Sequence, residues 1–166
     1  MDKVQKNLSD IERKISKAIK ILGKGEALKL GDAIKLGRKN NAIVSTIRKG
    51  IKEYDGANPS AVESKKVLAQ MKTIVTLTET QLELLITNKP HTEKLRVGGL
   101  VKRSILKSQE ASEELSKLML DKTPEDLKSE AQALEQRRKA TFEKASAVYA
   151  AAIGGEENAD GEDDSD

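Results

Sequence analysis

Apolar residues recur every three or four positions along almost the whole chain, and nowhere alternate with a period of two over a useful length. The clearest stripe comes first: Val4, Leu8, Ile11, Ile15, Ala18, Ile19 and Leu22, with charge between them, predict an amphipathic helix that Gly23 and Gly25 end. A second stripe runs through Leu30, Ala33, Gly37, Asn40, Val44, Ile47, Ile51 and Tyr54 and stops before Asp55-Gly56, with Gly31 and Gly37 marking a place for a kink or break. Asn58-Pro59-Ser60 opens a third helix, Pro59 near its first turn, whose stripe is Leu68, Met71, Val75, Thr78, Leu82 and Leu85. A fourth is predicted from about Leu95 to Leu120 through Val101, Ile105, Ser108, Ser112, Leu115 and Met119. The fifth starts at Thr123-Pro124-Glu125-Asp126, with Thr123 as N-cap and two acids in its first turn, and continues through Leu127, Ala131, Leu134, Arg138, Thr141, Ala145 and Val148. The expected fold is therefore all-α, an antiparallel bundle of about five helices over residues 1–153.

Charge changes the picture only at the end of the chain. The net charge of +3 conceals a tail, 154–166, with seven acids and no base, which leaves 30 basic against 20 acidic residues in the body. That composition predicts a disordered acidic tail beside a lysine-rich helical surface. At 166 residues the chain is long enough to bury a core as one domain. No apolar run reaches the ~18 residues of a transmembrane helix. The start, MDKVQKNLSDIERK, lacks the apolar core of a signal peptide, so the expectation is either a cytosolic protein or a mature secreted form that has lost its signal.

The interior positions carry the functional information. Aromatics are nearly missing, with only Tyr54, Phe142 and Tyr149, and small or polar residues occupy expected inward positions: Gly37, Asn40, Thr78, Ser108, Ser112, Thr141 and Arg138. Such residues either let helices approach closely, their hydroxyls bonding backbone carbonyls, or leave space between them. Space lined by Ile, Leu, Val and Met suits an acyl chain, whose burial yields roughly 0.8 kcal/mol per methylene, on the order of 10 kcal/mol for a long chain. The candidate lipid-binding set is Val44, Ile47, Ile51, Met71, Val75, Thr78, Ile105, Ser108, Leu115 and Arg138. Thr78, Ser108, Ser112 and Arg138 are the candidate donors for a carboxylate, with the long Arg138 side chain expected to snorkel to solvent instead.

Other chemistry finds no support. Cysteine is absent and His91 is the one histidine, so neither a metal centre nor a catalytic triad is expected. Glu113-Glu114 and Glu125-Asp126 read as exposed surface and dipole compensation, and Gly98-Gly99 has no strand before it and no phosphate-loop pattern. Few arginines and few aromatics argue against nucleic acid. No enzyme activity and no cofactor are expected.

Punctuation in the second half is regular: Lys89-Pro90, then Gly98-Gly99-Leu100-Val101, a helix with Leu115 and Leu118, Lys122-Thr123-Pro124, and a last helix bearing Phe142 and Tyr149. This series resembles the fungal hydrophobic surface-binding protein A family, and the first half, including IVSTIRKGI at Ile43–Ile51, follows the same layout more loosely. The resemblance implies a secreted or cell-wall fungal protein without enzymatic activity that adsorbs to hydrophobic surfaces. Some members help recruit polyester- or cutin-degrading enzymes, so a secreted hydrolase is an implied partner. Related ligand-binding domains of fungal cell-wall mannoproteins are similar five-helix folds holding fatty acids centrally. The chain departs from the pattern in its lysine content and its acidic tail.

Two forms of lipid binding follow as expectations: acyl chains held between helices, or helices that part and lay their apolar faces on a wax, polyester or air–water interface. The alternative is a basic helical scaffold that docks an acidic partner or polyanion, with the tail competing for the same surface.

Overall fold

A computed structural model describes residues 1–165, so Asp166, the last acid of the tail, lies outside the described residues. Five long helices and one short one make up the fold: α1 (Asp2–Leu22), α2 (Leu30–Asp55), α3 (Ala61–Thr87), α4 (Lys89–Lys94), α5 (Gly98–Lys122) and α6 (Lys128–Val148). The α1 stripe is inward as expected, Ile11 being fully buried and Leu8 nearly so. α2 is one helix from Leu30 onward, without the expected break; the interruption falls earlier, in the turn at Gly25–Ala27. There the Asp32 carboxylate accepts the Lys29 N–H at 2.9 Å, and hydrogen bonding from Lys24 and then Lys29 holds Asp32 below the usual carboxylate range. Ser60, not Pro59, starts α3: its hydroxyl accepts the Glu63 N–H at 3.2 Å while Glu63 accepts the Ser60 N–H at 2.8 Å, a reciprocal cap.

Two boundaries in the second half differ from the sequence reading. Lys89-Pro90 opens a short helix, α4, that no stripe predicted, and the helix expected from about Leu95 begins as α5 at Gly98. Thr123 closes α5 instead of capping α6, its hydroxyl donating to the Met119 carbonyl at 2.6 Å, and a turn at Glu125–Leu127 precedes α6.

Side by side, the long helices form a closed ring in the order α1, α2, α5, α6, α3 and back to α1. Helices consecutive along the chain run in opposite directions, as short connections require, but three of the five lateral contacts are parallel. Gln70 reaches Gln5 while Asn88 reaches Leu22, so α3 lies parallel to α1. Asn40 meets Ser104 and Lys122 reaches Asp55, which makes α2 parallel to α5, and Glu79–Arg137 with Glu83–Lys144 do the same for α3 and α6. The ring leaves α3 and α5 facing each other across the interior.

Residues 154–165 of the acidic tail are ordered, contrary to the expectation from composition. The segment crosses the start of α5, runs along α2 and ends on α1. The Leu100 N–H donates to the Gly154 carbonyl at 2.9 Å, Asn41 donates to the Ala159 and Gly161 carbonyls, and buried Lys39 donates to the Ser165 carbonyl at 2.7 Å. Asp164 sits 3.3 Å from Arg13 and 3.4 Å from Lys14. Composition predicts disorder because a carboxylate-rich segment cannot bury itself; here the basic body supplies the partners, and Ala159 supplies a buried apolar anchor beside Ala33, Val97 and Leu100.

This crossing explains the paired glycine. A Cβ at Gly99 would lie 1.8 Å from Glu156 Oε1 and 2.8 Å from the Gly154 nitrogen, and Gly154 and Gly155 take φ values of 101° and 81°. The Gly99→Ala variant is expected to release the tail without unfolding the ring, lowering stability by about 2 kcal/mol. Hydrogen exchange at the Leu100 amide reads this directly, and unchanged protection there would contradict it.

Candidate functional site

Three small apolar cavities lie along the axis of the ring, each of about 40 Å³. The first, at the Tyr54 end, is walled by Val67, Met71, Val75, Ser116, Met119 and Leu134. The central one shares Met71, Val75 and Ser116 with it and adds Ile11, Ile47 and Leu115 among others. Gln81 joins the central cavity to the third, which reaches Leu22, Leu36, Leu85 and Leu100 at the opposite end. The three are one seam between α3 and α5, interrupted by side chains. A 40 Å³ void holds about one water molecule, whereas ligand pockets run to roughly 300–1,000 Å³, so a ligand must part the helices to enter. The empty voids cost only about 1 kcal/mol each, far less than the transfer energy of a long acyl chain.

Seven of the ten sequence-predicted site residues meet at the central cavity: Ile47, Met71, Val75, Thr78, Ser108, Leu115 and Arg138. Val44 and Ile51 belong instead to the apolar cluster of α1 and α2, and Ile105 packs with Leu82 and Phe142. Sequence reasoning missed Ile11, Ile74, Gln81 and Phe142 at the central cavity and Ser64, Ser116 and Glu135 at the first. The α1 stripe could have flagged Ile11, which lies on the same face as Ile15.

The donor candidates are already engaged to different degrees. Thr78 donates to the Ile74 carbonyl at 2.8 Å, Ser112 to the Ser108 carbonyl at 2.7 Å, and Ser108 to Asn40 Oδ1 at 2.7 Å. Ser64, buried against the first cavity, has a hydroxyl with no hydrogen-bond partner. Arg138 does not snorkel: it is 4% exposed and forms a two-bonded pair with Glu135. Snorkelling would take its head past Glu135 into solvent, but the aromatic ring of Phe142 and the Ser112 hydroxyl hold it inward. Burial pushes the Tyr54 phenol above its ordinary pKa.

A larger groove lies elsewhere and is of another kind. It has a volume of about 920 Å³, lies between α1 and α2, and is lined by Lys3, Lys6, Arg13, Lys14 and Lys49 with Asp10, Glu53, Glu162 and Asp164. Its charge suits no acyl chain, and the tail already occupies one side. His91 is spoken for by the Leu28 carbonyl, 2.7 Å from Nε2. No group of three or more His, Asp or Glu among the described residues could hold a metal ion, and none of their helices is long and apolar enough to cross a membrane.

Fold and interior together define a class: an all-α ring around an apolar, subdivided axis whose few polar groups are mostly paired. The chain belongs to the hydrophobic surface binding protein A family, whose model matches residues 1–121. That span takes in the first half and ends within α5, before Lys122-Thr123-Pro124. No curated protein matches the chain in sequence. Among solved structures, AFMP4P in complex with palmitic acid superposes with a TM-score of 0.84 at 21% identity, covering 89% of this chain and 98% of that one. Ligand-binding domain 1 of the Penicillium marneffei MP1 protein, complexed with arachidonic acids, gives 0.79 at 23% identity, covering 87% and 94%. Its domain 2, with multiple arachidonic acids, gives 0.75 at 22% identity, covering 88% and 96%. At these identities the likeness is one of fold.

Proposed function

We propose that the protein is a non-enzymatic binder of long-chain fatty acids, or of lipids presenting one such chain, and that it acts outside the cell or at its wall. The observation that carries this reading is the apolar seam between α3 and α5, in a fold shared with structures solved around palmitic and arachidonic acids. The acyl chain parts the two helices and merges the three voids. Neither helix belongs to the other's lateral contacts, so the ring can widen across this diameter while its neighbouring pairs stay packed.

Adsorption to hydrophobic surfaces, which the family description names, is the second reading. The exposed large apolar residues Leu30, Val62, Leu106 and Ile153 are on different elements and form no stripe, so adsorption would require the ring to open. Native mass spectrometry of delipidated protein with added palmitic acid separates the two. The cavity reading predicts a discrete one-to-one or low-stoichiometry adduct, and a spectrum with no adduct would overturn it.

A further inference from the structure

Arg138 is a buried cation on an apolar seam, and its carboxylate partner is the more exposed member of the pair. The guanidinium side chain is 5% exposed, whereas that of Glu135, three residues back on α6, is 23% exposed. Glu135 accepts Nε at 2.8 Å and Nη2 at 2.6 Å, and Ser112 Oγ lies 3.5 Å from Nη1. Three of the five N–H donors are thus engaged, one of them weakly. The Phe142 ring, 5.9 Å from the guanidinium carbon, supports the cation independently of Glu135. Arg138 lines the central cavity and Glu135 the first, so the pair stands where the two cavities meet.

A buried arginine costs several kcal/mol in desolvation, and a hydrophobic residue of similar size would pack the seam as well or better. What an arginine offers here, and a leucine does not, is a bidentate seat for a planar anion. We propose that Arg138 is the seat of the ligand's carboxylate and that Glu135 is its internal stand-in, which turns out to solvent as the ligand arrives. One carboxylate replaces another, so the buried charge stays balanced throughout, and no proton has to move. Glu135 can leave because its side chain already reaches solvent; Arg138 stays because Phe142 and Ser112 keep it.

The seat also sets the direction of the chain. From Ser112, beside Arg138, to Leu100 at the far end of the third cavity, α5 rises about 18 Å. One leaflet of a bilayer's hydrocarbon core spans about 15 Å, so an acyl chain anchored at Arg138 fills the central and third cavities with little to spare. The ligand class is therefore a free long-chain carboxylic acid, not its ester.

This inference rests on the proposed acyl binding, and palmitic acid compared with methyl palmitate tests the two separately. Equilibrium dialysis of both probes against the wild type, Glu135→Gln and Arg138→Met is the experiment. Wild type should prefer the acid. E135Q should bind the acid roughly tenfold tighter with the ester unchanged, because the competitor carboxylate is gone. R138M should lose roughly tenfold or more for the acid and keep the ester, erasing the preference. An acid-to-ester ratio that E135Q leaves unchanged, or a wild type without preference, overturns the carboxylate seat while acyl binding stands. If neither probe binds the wild type, both readings fall.

Discussion

The Val75→Phe variant is expected to fold and to lose palmitic acid binding by about tenfold or more. Val75 is 3% exposed and lines both the first and the central cavity, so a benzyl group there fills the space through which the seam is continuous. Overpacking a core costs typically about 1–3 kcal/mol, and here the added ring also fills voids worth about 1 kcal/mol each, so the ring of helices should survive. Phenylalanine is the better probe than tryptophan because it brings no N–H in need of a partner. Ile51→Ala is the matched control. Ile51 packs on the α1–α2 cluster and lines none of the three cavities. Its truncation should lower stability and leave the dissociation constant unchanged. Calorimetric titration of both variants checks the pair, and equal losses of affinity would show that the seam is not where the chain binds.

The second large effect is thermal. A ligand that binds only the folded state stabilises it by about 2.7 kcal/mol at a hundredfold excess over its dissociation constant. For a domain of this size, each kcal/mol raises the melting temperature by roughly 2–4 °C. Palmitic acid at that excess is therefore expected to raise Tm by about 5–10 °C. A short-chain acid such as butyric acid should give almost nothing at the same concentration, because each missing methylene forgoes roughly 0.8 kcal/mol. The contrast in scanning calorimetry matters more than either value. Equal shifts for both acids would mean that charge, not the apolar seam, governs binding.

The sequence was informative where a property is local. The i, i+3, i+4 stripe of α1 predicts its buried face almost residue for residue, since a helix with one apolar face has one way to sit on a core. The same logic is weaker for α2. That helix packs against both α1 and α5, so Lys39, Ala42 and Thr46 are buried beside the stripe, and a single-face pattern cannot say which neighbour each residue meets. This is why Val44 and Ile51, which share the stripe with Ile47, end away from the cavities. Arg138, expected to snorkel, is buried instead. Glu135 and Phe142 lie three residues before and four after it on α6 itself, but that this face of α6 turns inward onto Ser112 depends on how α6 meets α5.

Ring order was the least visible property. Nothing in the periodicity distinguishes a simple up-and-down bundle from one in which α1 and α3, α2 and α5, and α3 and α6 lie parallel. Gly98-Gly99 shows the same limit in miniature: the motif stands out in the sequence, but its cause is a tail segment more than fifty residues away that passes within van der Waals distance. The tail itself misled because disorder was inferred from its own composition, whereas its contacts come from Lys39, Asn41 and Arg38 on α2.

An acyl chain is expected to occupy the interior of the ring. A crystal structure of the protein with palmitic acid brominated at its terminal carbon tests it most directly. Continuous density between α3 and α5 is expected, with a bromine anomalous peak inside the ring beside Leu36, Leu85 and Leu100. A bromine peak on the outer face of the helices, with the three voids as small as before, would contradict it.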